Sequence, residues 1–206
     1  MTKNGRRGAA MILQGNEDLR VVKTINGIKS AFEDLICEKD YKDITVKELC
    51  GRARINKKTF YHYYETLDAL LAEMQAELSL GFIERIKKYS LPEELDQVNR
   101  EFFIFASEQG LAYEKITCGG SYRYIRDEMI DRVNEEEWSG SEKYRKLSGF
   151  EKKILVGFIN ESVLTVYRQW VESGKVISLE EVIEMTNRIV IGGVNGFFRE
   201  GTQFPL

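Results

Sequence analysis

ITVKELCGRARINKKTFYHYYETLDALL, residues Ile44 to Leu71, holds two short helical patterns joined by a turn and followed at once by a third. Thr45 and Glu48 have the spacing of a capping box, Thr-x-x-Glu, ahead of a helix whose apolar residues Val46, Leu49, Cys50 and Ala53 keep helical spacing. Asn56 is a good N-cap for a second helix, Lys57 to about Tyr63. Ile55 before that helix, and Phe60 and Tyr64 along it, fall on one side and are expected to pack inward. Lys57, Lys58, Tyr61 and His62 are left on another face, cations and aromatic donors pointing outward. That is the pattern of a helix-turn-helix whose second helix lies in a major groove. Thr66 then caps a third helix beginning at Leu67.

From Arg20 to about Met74 the chain resembles the DNA-binding domain of the TetR family of bacterial transcriptional regulators. The likeness is carried by Ala31-Phe32, by Thr45, Val46 and Leu49, by Thr59-Phe60-Tyr61, and by Asp68, Leu70 and Leu71. These occur in one unbroken order over roughly a quarter of the chain. Three positions depart from the family pattern: Arg54 replaces the turn glycine, Tyr63-Tyr64 replaces a His-aromatic pair, and Leu67 replaces a lysine. A non-glycine residue at position 54 must adopt whatever backbone the turn requires. The resemblance implies an all-α chain with a three-helix DNA-binding domain at 18–74 and a helical dimerisation and ligand-binding domain at 75–206, while residues 1–17, Gly-rich, basic and aperiodic, read as a flexible N-terminal arm. With the outward face, it gives Thr45, Lys47, Asn56, Lys57, Lys58, Thr59, Tyr61, His62 and Tyr63 as the DNA-binding set.

Composition agrees with a globular chain of this kind. Hydrophobic residues make up 43% and charged residues 31%, ordinary for a soluble protein with a proper core. Only Pro92 and Pro205 interrupt the helical patterns. The net charge of −3 argues against coating nucleic acid by bulk charge. Residues 1–75 nevertheless carry 13 Lys and Arg against 11 Asp and Glu, and residues 76–206 carry 17 against 22. The cationic bias therefore lies, weakly, with the motif. Cys37, Cys50 and Cys118 are widely spaced and odd in number, so neither a disulfide framework nor a metal site is expected, and the thiols read as reduced in a cytoplasmic protein. Ala9 to Leu13 is too short for a signal-peptide core, and no run approaches membrane-spanning length.

Upstream of the motif, Ile25, Ile28, Phe32, Leu35 and Ile36 keep helical spacing. Downstream, a fourth helix is predicted from Thr66 to about Lys88, joining the motif to the rest of the chain. Ser90-Leu91-Pro92-Glu93-Glu94 reads as a helix start, with proline and acids in the first turn. A short helix is expected around Leu111 to Thr117, another from Ser121 to Val133, and a polar loop over Glu135 to Gly149. Two apolar helices close the chain, Phe150 to Ser173 and a capped helix from Ser178 containing Gly192, Gly193 and Gly196. In TetR-like proteins such helices pair with their symmetry mates. Tyr167, Arg168 and Trp170 before Gly174, with Ser178-x-Glu-Glu after it, resemble more weakly the C-terminal domain of regulators of dihydroxyacetone-kinase operons.

Catalysis has little to stand on. The single histidine, His62, lies on the outward face, and the carboxylate pairs Glu93-Glu94 and Glu180-Glu181 fall at helix starts, where they offset the helix dipole. Neither Gly-Gly pair has phosphate-cradle spacing, and no cofactor is expected. Aromatic residues gather in the second part, and Phe102, Phe105, Tyr113, Tyr122, Phe158 and Tyr167 are the candidates to line an effector pocket. The function expected is a DNA-binding transcriptional regulator. It would be a repressor that binds a palindromic operator in double-stranded DNA as a homodimer and is released by a small-molecule effector. The rival from another class is a helical adaptor that works mainly through a protein partner.

Overall fold

The computed structural model describes residues 18–119, 138 and 140–199. All regular structure among them is helical. The helices are α1 (Leu19–Glu38), α2 (Val46–Arg52), α3 (Lys57–Tyr63), α4 (Leu67–Ile86), α5 (Leu95–Glu108), α6 (Leu111–Cys118), α7 (Glu142–Arg145), α8 (Gly149–Glu172) and α9 (Leu179–Phe197), with a 3-10 turn at Tyr41–Asp43 before α2. The chain divides into two units, 1–80 and 81–206, the division falling inside α4.

Most helix starts are set by a side chain that accepts an otherwise orphaned N–H of the first turn. Asp18 takes the Arg20 N–H at 2.9 Å, Asn56 that of Thr59 at 2.8 Å, and Thr66 that of Ala69 at 3.0 Å. At α2 only half of the expected capping box forms. Thr45 Oγ1 accepts the Glu48 N–H at 3.3 Å, but the Glu48 carboxylate turns to Lys39 Nζ at 2.6 Å. The full reciprocal box appears instead at Ser148-Glu151 and Ser178-Glu181, heading the two long helices of the second unit.

In the first unit, α1 packs on α2 and α2 on α3. Ile25, Ile28, Phe32, Leu35 and Ile36 are fully buried on the predicted face of α1, as are Leu49, Phe60, Leu70 and Leu71 farther along the chain. In the second unit, α9 packs on α8 and α5, and α6 on α8. Their shared core includes Leu95, Phe103, Leu155, Ile159, Val163, Tyr167, Trp170, Val182, Ile183 and Val190. Arg100 forks onto Glu180 at 2.7 Å, and the Asn99 amide donates to Asn187 at 2.9 Å, tying α5 to α9.

Two expectations require correction. α5 begins at Leu95, not at Ser90: Leu91 to Glu94 form turns, and Glu94 folds back to accept the Ser90 N–H at 2.9 Å. The polar stretch before Gly149 is not plain loop either. It contains α7, and Tyr144 packs its ring 5.2 Å from that of Trp138, which is buried. The arm at 1–17 and the helix expected from Ser121 to Val133 lie outside the described residues.

Candidate nucleic-acid interface

The turn between α2 and α3 closes through two backbone bonds. Ile55 N–H donates to the Cys50 carbonyl at 3.0 Å, and Arg54 N–H to that of Gly51 at 3.3 Å. This is a Schellman end, and it requires the left-handed region at position 54. Arg54 adopts it, at φ 53°. The same motif ends α8, where Lys175 N–H reaches the Trp170 carbonyl at 2.8 Å, and there Gly174 takes φ 74°. The chain thus carries one glycine and one arginine in equivalent positions, and the arginine adopts a conformation costly for a residue with a Cβ.

Beyond the turn, the sides of α3 separate as the spacing predicts. Phe60 and Tyr64 are buried with ring centroids 5.9 Å apart, and Ile55 is half-buried. Lys57, Lys58 and His62 are exposed, and Tyr61 is 54% exposed with its ring edge-on to Phe60 at 5.4 Å. No hydrogen bond or ion pair among the described residues engages Lys57, Lys58 or the α2 residue Lys47, so three cations stand unpaired on or beside one short helix. Thr45 and Asn56 are exposed, but their side-chain oxygens are committed to the caps. Thr59 is half-buried, its hydroxyl donating to Asn56 Oδ1 at 3.1 Å. Tyr63 is half-buried with His62 against it, centroids 4.9 Å apart. The expected set therefore divides into residues that form the helix and residues that face solvent from it.

A feature that periodicity did not reveal lies behind α3. Tyr64 caps its C-terminus and donates its hydroxyl to Glu73 Oε1 of α4 at 2.9 Å. Burial, and then that carboxylate, push the Tyr64 hydroxyl upward, so it stays a donor. Lys29 Nζ of α1 meets the same carboxylate at 2.9 Å. A glutamate inside a helix usually reads as a solvated face, and nothing in its spacing marks it otherwise.

In the second unit the aromatic candidates mostly meet. The Phe102 ring lies 5.5 Å from Tyr167, and Phe105 lies 6.1 Å from Tyr113. Phe82 bridges Phe102 and Phe105 at 6.0 and 5.8 Å. Phe103 and Trp170 complete the cluster around Tyr167. The Tyr167 hydroxyl is fully buried and has no hydrogen-bond partner among the described residues. Burial raises the Tyr113 hydroxyl to about 12. Phe158 lies apart on an exposed face, its ring over Gly193, and Tyr122 lies outside the described residues. A cleft of about 220 Å³ bounded by Pro92, Leu95, Lys143, Val194 and Phe198 includes none of these candidates. Among the described residues no cluster of metal-ligating side chains occurs, and no helix is long and apolar enough to cross a membrane.

No protein-family model matches the chain. Over 96 residues, 46% of its length, it is 33% identical to an uncharacterized HTH-type transcriptional regulator, YxbF, of Bacillus subtilis, and it spans 23% of that relative's length. Among solved structures it is similar to FadR from Bacillus subtilis, solved in complex with stearoyl-CoA, at a TM-score of 0.62 and 17% identity, covering 82% of this chain and 98% of that one. A TetR transcriptional regulator from Streptococcus agalactiae matches at 0.60 and 19% identity, covering 83% and 95%. The dihydroxyacetone kinase operon activator DhaS matches at 0.51 and 20%, covering 85% and 98%, in line with the weaker resemblance of the C-terminal residues. The chain has the all-helical fold of the TetR-family transcriptional regulators.

Proposed function

We propose that this chain is a transcriptional regulator, a repressor that reads double-stranded DNA through α3 as a homodimer. The observation that carries the reading is the outward face of α3: Lys57, Lys58, Tyr61 and His62 exposed together on a capped helix whose other side is buried. A short helix gains nothing in stability from such a face, whereas phosphates and base edges in a major groove are complementary to it.

The second unit supports the homodimer. Phe150, Ile154 and Phe158 follow one another at four-residue intervals along α8, and all three are exposed, Phe150 by 75%. Met185 and Ile189, four residues apart, and Phe197, eight farther on, are exposed on α9, and the Phe158 ring over Gly193 joins the two rows. Contiguous apolar surface on two long adjacent helices favours burial against a second copy. A two-fold dimer reads a near-palindrome whose half-sites lie about 34–36 Å apart, or a multiple of that.

The aromatic cluster around Tyr167, with a buried hydroxyl that has no partner among the described residues, supports a small-molecule effector that is largely apolar with one hydrogen-bonding group. Release then requires that the effector bind the DNA-free arrangement more tightly. A gel-retardation titration with the DNA upstream of the chain's own gene tests the reading. Saturable retention abolished by a specific competitor duplex is the expected result. Retention equal to that of unrelated DNA would favour an adaptor that acts through a protein partner.

A further inference from the structure

Lys29 of α1 and Tyr64 at the C-cap of α3 meet on the carboxylate of Glu73 of α4. Glu73 is 1% exposed, and its Oε1 accepts both the Tyr64 hydroxyl and Lys29 Nζ at 2.9 Å. Lys29 is itself largely buried and also reaches Glu77 at 2.6 Å. A buried ion pair of this kind is poor evidence of stabilisation, because taking both charges out of water offsets most of their attraction. Three apolar side chains of similar size would hold α1, α3 and α4 together at least as firmly. What they would not supply is direction: a shared carboxylate accepts its two donors only in a narrow set of positions.

The direction matters because of where Tyr64 sits. Its N–H closes the last turn of α3 onto the Phe60 carbonyl at 2.9 Å, and its ring packs on Phe60, which in turn meets the Tyr61 ring. Fixing the Tyr64 hydroxyl therefore adds a directional tether at the C-terminal end of a seven-residue helix that is otherwise seated by the buried Phe60 and by its packing on α2. We propose that Glu73 is a positioning residue for the outward face: by holding Tyr64 and Lys29 together it sets the rotation of α3, and with it the direction of Tyr61 and Lys57. The inference rests on the reading of α3 as the DNA-contacting helix.

The test compares wild type, Tyr64→Phe and the apolar triple variant Lys29→Met/Tyr64→Phe/Glu73→Leu. The probes are a duplex enriched by the wild type from a randomised library and a scrambled duplex of the same length, at one salt concentration. The triple variant is expected to melt at or above the wild-type temperature. Its preference for the enriched duplex should fall about tenfold, the worth of one good base contact, with affinity for the scrambled duplex unchanged. Tyr64→Phe removes a single oxygen and should move the preference the same way by less. A purely structural network predicts that the triple variant, once stable, discriminates as the wild type does, and that result overturns the proposal. If the triple variant does not fold, an unchanged preference in Tyr64→Phe overturns it equally. A wild type that enriches no duplex removes the reading of α3 itself, whereas a discriminating wild type with indifferent variants removes only the role of Glu73.

Discussion

The outward face of α3 and the outward face of α8 and α9 are both more specialised than a solvated surface, in opposite ways. The first is short, polar and cationic, with one large aromatic ring half in water. The second is long and apolar, with Phe150, Ile154, Phe158, Met185 and Ile189 in the open. A surplus of unpaired cations and hydrogen-bond donors is complementary to a wet polyanion, whereas a surplus of apolar surface is complementary to protein. The contrast teaches that burial in a single chain finds both candidate surfaces, and that their chemistry separates the partners.

The largest effect should come from breaking the apolar face. Ile154 and Ile189 are 50% and 48% exposed, so aspartate at both costs the isolated chain little but places unpaired charge in a dimer interface. Sedimentation at micromolar concentration should fall to the monomer mass, and specific retention of DNA should be lost with it. A dimer that survives the double substitution would move the interface elsewhere. Gly193→Ala sharpens the point with a smaller change. A Cβ there would lie 2.4 Å from Phe158 Cζ, so the exposed ring must move while the helix itself gains propensity. Thermal stability of the monomer should hold or rise as the dimer weakens.

On the polar face, Lys57→Ala should weaken binding to enriched and scrambled duplexes alike. It should also lower the slope of log affinity against log salt by about 1, the signature of one lost phosphate contact. A change confined to one sequence would make Lys57 a base contact instead.

The smallest effect concerns the two turns that close with the same pair of Schellman bonds. Arg54 occupies a left-handed position that Gly174 fills in the second unit. Arg54→Gly should therefore raise stability by about 1 kcal/mol, read as a shift in the denaturation midpoint. A loss of stability would mean that the Arg54 side chain contributes more than its backbone costs.

What the sequence revealed was local. The caps at Asn56, Thr66 and Ser178, and the inward side of α3, were legible because a cap and a helical face each depend on a few neighbouring residues. The false start at Ser90 arose because proline and acids suit a turn as well as a first helical turn. Trp138 and Tyr144 read as loop from local pattern because their burial comes from distant helices. Phe158 was placed with the effector candidates because α8 is apolar on more than one side, and periodicity alone cannot say which side faces the core. Glu73 escaped notice for the opposite reason: its partners, Lys29 and Tyr64, lie 44 and 9 residues before it.

The central claim is that α3 reads DNA with the side chains it turns to solvent, and Tyr61→Ala tests it most directly. Tyr61 is 54% exposed, with its ring edge-on to Phe60, so its removal should shift the melting temperature by no more than about 2–4 degrees. Affinity for the enriched duplex should fall by about 1–3 kcal/mol, while affinity for scrambled DNA stays as it was. Wild-type affinity and wild-type sequence preference in Tyr61→Ala, measured on a folded dimer, would contradict the account.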